Sequence, residues 1–156
     1  MKVIFLDIDG VLNGDGTRAR CCGYMGIDND KAKRLADIVK ATGAKVVLIS
    51  TWKQTWRKTD KKYQGFLANY LDRKMKAVGI SIYDKTRDTD GKIYFSRGEG
   101  ILDYLHREKV ENYVILDDGQ AEYDSCGLTD NYIKTNFYTG ALTDELAQRA
   151  IKILNA

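Results

Sequence analysis

The 156-residue sequence predicts a three-layer α/β fold on a mostly parallel central sheet of about five strands. Two observations predict it. Apolar runs of strand length alternate along the chain with segments of helical periodicity, the pattern of βαβ crossovers. The strand-like runs are also nearly continuous in apolar residues, which suits strands covered on both faces better than an antiparallel sheet with one wet face.

The elements follow in order. "KVIFLD" (2–7) is the first strand, and "GDGTRA" (14–19), with two glycines, supplies the turn of a short hairpin. "NDKAKRLADIVKATG" (29–43) sets Leu35, Ile38 and Val39 on one helical face and stops at Gly43, as helices often do. "AKVVLIS" (44–50) is the second strand. "FLANYLDRKMKAVG" (66–79) repeats the helical plan with Leu67, Tyr70, Leu71, Met75 and Val78, and "GISIYD" (79–84) is the third strand. "GEGILDYLHREKV" (98–110) is a third helix with His106 exposed at its basic end, followed by the strand "YVILDD" (113–118) and a weaker one, "NYIKTN" (131–136). "TDELAQRAIKILNA" (143–156) closes the set, with Leu146, Ala150, Ile151 and Leu154 at helical spacing. No internal repeat or linker interrupts the pattern, so residues 1–156 are expected to form a single domain.

Composition narrows the function classes. Hydrophobic residues are 44% and charged residues 30%, the balance of an ordinary globular chain, and proline is absent. No run approaches about 18 apolar residues, so no membrane partner is expected, and the N-terminus lacks a signal-peptide pattern. Cys21, Cys22 and Cys126 are odd in number, and with one histidine and no C-x-x-C a structural zinc site is not expected. Reduced thiols and a cytoplasmic location follow. The net charge of +3 does not by itself mark a nucleic-acid binder.

In parallel α/β sheets, ligands bind at the carboxyl ends of the strands. The residues there are Asp7, Asp9 and Gly10 after the first strand, Ser50 and Thr51 after the second, and Asp117, Asp118 and Gly119 after the fourth. Strand alternation lets Asp7 and Asp9 point to one side, and Gly10 bends the chain without a Cβ penalty. Four carboxylates converging on one spot require a cation, and an oxygen-only donor set suits a hard ion, Mg²⁺.

"FLDIDGVLN", "VVLIS" and "YVILDD", in this order, resemble the signature of the haloacid dehalogenase-like phosphohydrolase superfamily, with its three-layer Rossmann-like fold. The resemblance implies that Asp7 is the nucleophile that attacks phosphorus and that Asp9 is the acid and base at the leaving oxygen. It further implies that Ser50, or less favourably Thr51, binds the phosphoryl oxygens. Asp117 and Asp118 would hold Mg²⁺ with Asp7 and the backbone carbonyl of Asp9. A phosphate-binding cation is expected from Lys92 or Arg97, with Arg97 preferred for its place beside a helix start. An acid at Asp9 resembles the phosphatases and phosphomutases of the superfamily. "VVLISTWK", "SRGEGILDYL" and "IKTNFYTGALTDELAQRAIKIL" are similar to a capless branch, the Swiss Army Knife RNA repair-like group; Lys134 and "TGALT" stand where that branch carries a basic residue and a segment one residue shorter.

Neither the gap from Asn13 to Ile27 nor that from Trp52 to Lys92 leaves room for a cap domain. An open site favours a large phosphorylated substrate, such as a nucleic-acid end or a phosphoprotein, or else a cap borrowed from a neighbouring subunit. "TWKQTWRKTDKKYQ" (51–64) mixes Trp52 and Trp56 with Lys53, Arg57, Lys58, Lys61 and Lys62, which would suit a single strand; the competing reading is a solvated basic surface over buried tryptophans. Tyr83, Tyr94, Tyr123 and Tyr138 are open between packing and ligand contact. The rival functions are a non-catalytic phosphate- or Mg²⁺-binding signalling domain of receiver type and a small-metabolite or nucleotide phosphatase. Asp-x-Asp-Gly on the first strand favours the enzyme.

Overall fold

In the computed structural model, which describes residues 1–119 and 122–156, the five predicted strands form one parallel sheet. The strands are β1 (Lys2–Leu6), β4 (Lys45–Leu48), β5 (Ile82–Lys85), β6 (Asn112–Asp117) and β7 (Tyr132–Lys134), in the spatial order β5-β4-β1-β6-β7. The chain first builds outward from β1 through β4 to β5 and then crosses to the other side of β1. The strand order therefore reverses beside β1, and the crevice of an open parallel sheet lies at that reversal.

Four helices, α1 (Asn29–Thr42), α2 (Phe66–Ala77), α3 (Arg97–Arg107) and α4 (Asp144–Leu154), cover the sheet unequally. Ile4, Leu6, Val46, Leu48, Val114 and Leu116 pack with buried residues of α1, α2 and α4 on one face. Val3, Phe5, Val47, Ile49 and Ile115 pack on the other against Ile101 and Tyr104 of α3. This is the period-2 consequence of strand geometry: residues of one parity serve one core, and those of the other parity serve the second. The helices start and stop where the sequence indicates. Gly43 caps α1 in the left-handed conformation, and Ser96 with Glu99 forms a capping box on α3.

One local expectation is corrected. The hairpin between β1 and α1 consists of β2 (Arg20–Cys21) and β3 (Tyr24–Met25), and its turn is Cys22–Gly23, not "GDGTRA". Both turn residues have positive φ, 51° and 86°, which is what a two-residue turn matching the strand twist demands. Cys22 is an unusual residue for that conformation, so composition pointed to the wrong pair. The hairpin is pinned from below: the Ile27 amide donates to the Tyr70 hydroxyl of α2 at 3.1 Å, and the Gly26 amide to the Ala19 carbonyl at 2.8 Å.

Candidate active site

Register brings the strand ends level. Leu6 pairs with both Leu48 and Leu116, and the Asp7 amide donates to the Leu116 carbonyl at 2.9 Å. Asp7 shares the parity of Phe5, and Asp117 that of Ile115, so both emerge toward the first turn of α3. The loop that follows turns at Gly10, with φ of +81°. A Cβ there would lie 1.9 Å from Oδ2 of Asp118, so this glycine is required twice, by conformation and by the approach of a carboxylate. Asn13 accepts from the Gly10 amide through Oδ1 at 2.9 Å, and the buried Thr135 hydroxyl donates to the Gly10 carbonyl at 2.6 Å.

Carboxylate oxygens of Asp7, Asp117 and Asp118 lie within 4.8 Å of one another. Burial, and then the charge of Asp117, raise the Asp7 carboxyl from 3.8 to about 7. Asp118 is raised by the same two causes. Burial also pushes Asp117 upward, but hydrogen bonds from the Tyr123 hydroxyl, the Gly119 amide and Arg97 outweigh it and hold the group below its ordinary value. Tyr123 donates to Oδ2 of Asp117 at 2.5 Å. The one cationic side chain bonded into this cluster among the described residues is Arg97, whose Nη1 lies 2.8 Å from Asp117 and 3.4 Å from Asp7. An arginine in the first turn of a helix opposes the helix dipole. Its presence there is accounted for by the two acids, whose charges raise its pKa despite burial.

The donor set fits a hard divalent cation. Three acids face one guanidinium, all candidate ligands are oxygens, and the two carboxyls driven upward are groups that a cation would return to the ionised form.

Asp9 takes a different environment. Because β1 ends at Leu6, strand alternation does not set the direction of Asp9, and its carboxylate lies outside the cluster of Asp7, Asp117 and Asp118. The exposed Asp9 carboxylate accepts from Asn13 Nδ2 at 2.8 Å and from the indole Nε1 of Trp52 at 3.2 Å. The side-chain cluster therefore holds three carboxylates, not four.

After β4, Ser50 is buried and its hydroxyl accepts from the Trp52 amide at 3.2 Å, while the exposed Thr51 lines a polar cavity of about 160 Å³ with Lys53 and Arg97. The buried Lys53 ammonium lies 2.7 Å from Asp88 and donates to the Thr86 hydroxyl at 2.9 Å. Lys92 is exposed, and among the described residues no ion pair or hydrogen bond ties its side chain to the acids. Lys134 is exposed at the end of β7.

The tryptophans of "TWKQTWRKTDKKYQ" are mostly buried, and only Trp52 reaches a recess, beside Asp9. Trp56 is 1% exposed, with its indole donating to Asp72 and Lys61 over its ring at 4.1 Å; Trp52 is 7% exposed. Each is large and apolar enough that core burial prevails. Arg57, Lys58 and Lys61 pair with Asp60, Asp84 and Asp72. Among the described residues the exposed aromatics are Tyr63, within that stretch, and Tyr24, Phe66, Tyr83, Tyr94 and Tyr138 outside it.

A family model described as the HAD domain in Swiss Army Knife RNA repair proteins matches residues 3–147. The chain belongs to this family. Neither a curated protein nor a solved structure matches it. Membership in this haloacid dehalogenase-like (HAD) family brings hydrolase chemistry of phosphatase type and the use of a metal ion. The family signature spans the strand ends described above, from β1 through the start of α4. Sequence reasoning assigned no role to Asn13 or Thr135, and left Tyr123 open between packing and ligand contact. The one available signal was polarity inside apolar surroundings: an asparagine four residues after Asp9, and a threonine just past a strand end.

Proposed function

We propose that the protein is a Mg²⁺-dependent phosphomonoester hydrolase acting through an aspartyl-phosphate intermediate. The observation that carries this reading is the convergence of Asp7, Asp117 and Asp118 with Arg97 bridging two of them. Asp7, Asp117, Asp118 and the Asp9 carbonyl would hold Mg²⁺, which supplies charge neutralisation for the phosphoryl oxygens and keeps Asp7 ionised.

A carboxylate oxygen of Asp7 attacks phosphorus, the bond to the leaving oxygen breaks, and that oxygen takes a proton from Asp9. Water then attacks phosphorus, gives a proton back to Asp9 and releases inorganic phosphate, which restores Asp7. Arg97 stabilises the equatorial oxygens, a task for which its fixed guanidinium fork is suited. Ser50 or Thr51 binds a further phosphoryl oxygen, and the pair of donors on Asp9 holds that carboxyl in one orientation.

The substrate in this reading is a phosphate at a nucleic-acid end. The family description, RNA repair proteins, supports it. So does the short hairpin of β2 and β3, which stands where a closing cap would sit. Free Cys21, Cys22 and Cys126 favour a cytoplasmic location, which cell fractionation checks.

The test is hydrolysis of an aryl phosphate with Mg²⁺ or EDTA by the native protein and by Asp7→Asn. Equal rates in the two proteins would overturn the nucleophile assignment. Oligonucleotides phosphorylated at 5′ or 3′ ends, set beside sugar phosphates, test the substrate. Turnover of sugar phosphates alone removes the nucleic-acid end.

A further inference from the structure

The carboxylate of Asp9 forms one wall of a recess of about 310 Å³, and the other walls are Tyr24, Met25, Trp52, Leu67 and Phe137. These residues come from five separate parts of the chain: the β1 loop, β3, the turn after β4, α2 and the segment after β7. Their convergence is structural. Trp52 is held by its indole bond to Asp9 and packs beside Tyr70, with ring centroids 6.4 Å apart. Tyr24, 58% exposed, projects from the hairpin toward Phe66, 6.4 Å away between centroids. Phe137 belongs to a segment whose carbonyl accepts from the Asp15 amide at 2.9 Å.

We infer that this recess is the leaving-group subsite and that it takes the base of the terminal nucleoside next to the scissile phosphate. The inference rests on the phosphomonoesterase reading and adds to it the part of the substrate that is recognised. Three features select that occupant. First, Asp9 touches both the recess and, in that reading, the leaving oxygen, so the group bonded to that oxygen lies here. Second, among the described residues no Lys or Arg lines the recess, and its acid repels anions, so the entering part is uncharged and a second phosphate is not accommodated. Third, three aromatic walls and the Met25 thioether favour a flat π-system over a sugar or a flexible chain, because stacking is insensitive to base identity and available to every base.

A phosphotyrosine side chain is the other flat candidate. A phenol, with a pKa of about 10, departs readily without a proton. A sugar hydroxyl does not, and the two N–H donors that orient Asp9 serve the harder departure.

The experiment compares kcat/KM, with Mg²⁺ present, for adenosine 5′-monophosphate, adenosine 3′-monophosphate and ribose 5-phosphate. At least one nucleotide is expected to exceed ribose 5-phosphate by about 10-fold or more. Tyr24→Ala and Phe137→Ala, both at partly exposed positions, are each expected to cut that ratio several-fold, with melting curves confirming that the variants fold. A ratio near one in the native protein, or a ratio that neither variant changes, overturns the base subsite while leaving the phosphomonoesterase intact. Faster turnover of a phosphotyrosine peptide than of either nucleotide also overturns it. If no phosphate ester is hydrolysed, the function reading fails, and the recess is judged by binding alone. Adenosine should quench indole fluorescence in the native protein and not in Trp52→Phe; absence of that difference overturns the subsite.

Discussion

Asp7 and Asp9 are two residues apart and inhabit opposite physical settings. Asp7 is buried among like charges, and its carboxyl is raised to about 7. Asp9 is exposed, and two N–H donors, one an indole, fix it at the mouth of an aromatic recess. Charge density governs the first position and orientation governs the second. The difference separates the two ends of the proposed reaction: phosphorus is handled where cations are required, and the leaving group where a directed carboxyl and an apolar wall are required.

Substitution at Asp7 breaks the charged half most severely. Asp7→Asn is expected to lower aryl-phosphate hydrolysis by about 10⁴-fold or more, since residues acting as one unit lose nearly everything with the nucleophile. Rates within tenfold of native would remove Asp7 from the reaction. Arg97→Gln comes next. It leaves two buried acids without their bridging cation, and a loss of about 10²- to 10³-fold in kcat is expected, comparable to removal of one charge-stabilising donor. The same change is expected to lower stability by roughly 3 kcal/mol in the absence of metal, because an uncompensated buried charge remains. Denaturant titration checks this, and unchanged stability would mean that the pair with Asp117 contributes nothing.

The oriented half yields smaller effects. Trp52→Phe keeps an aromatic wall and deletes one donor to Asp9. About a tenfold fall in kcat is expected for an alkyl phosphate, with a smaller fall for an aryl phosphate whose leaving group needs less help from an acid. Equal falls for the two esters would show that the indole bond does not act through the leaving oxygen.

The same division governs what the sequence disclosed. Strand-end acids are legible because burial never favours an aspartate at the end of an apolar run, and Asp7, Asp117 and Asp118 come together accordingly. The five strands of the central sheet and the four helices described were legible from periodicity for a related reason: each period matches a buried face. Lys92 and Arg97 could not be separated by spacing, because the outcome depends on where α3 begins. The capping box of Ser96 and Glu99 starts the helix at Arg97 and aims that residue at the acids, while Lys92 stays in an exposed turn. The supports of Asp9 were illegible for a different reason. Trp52 and Asn13 act through a side-chain geometry with no periodic signature, and tryptophans next to lysines resemble a binding surface until their burial is known.

The smallest expected effect concerns pH and isolates the charged half. Below its ordinary value of 3.8, Asp7 is protonated in both the folded and unfolded chains. As pH rises toward about 7, the unfolded chain releases that proton while the folded one retains it. The folded state then binds more protons, so stability falls across this window and levels off above it. Asp118, also raised, adds in the same direction, whereas Asp117, held low, contributes stability that is lost in acid. Metal-free native protein should therefore lose melting temperature relative to Asp7→Asn between pH 5 and pH 8, by a few degrees, given that about 1 kcal/mol shifts a chain of this size by roughly 2–4 °C. Mg²⁺ competes with the proton, so its stabilising effect should be small at pH 5 and largest above pH 7. Parallel melting profiles for the two proteins, or equal stabilisation by Mg²⁺ at both ends of the range, would show that Asp7 does not carry the charge conflict that the strand ends create.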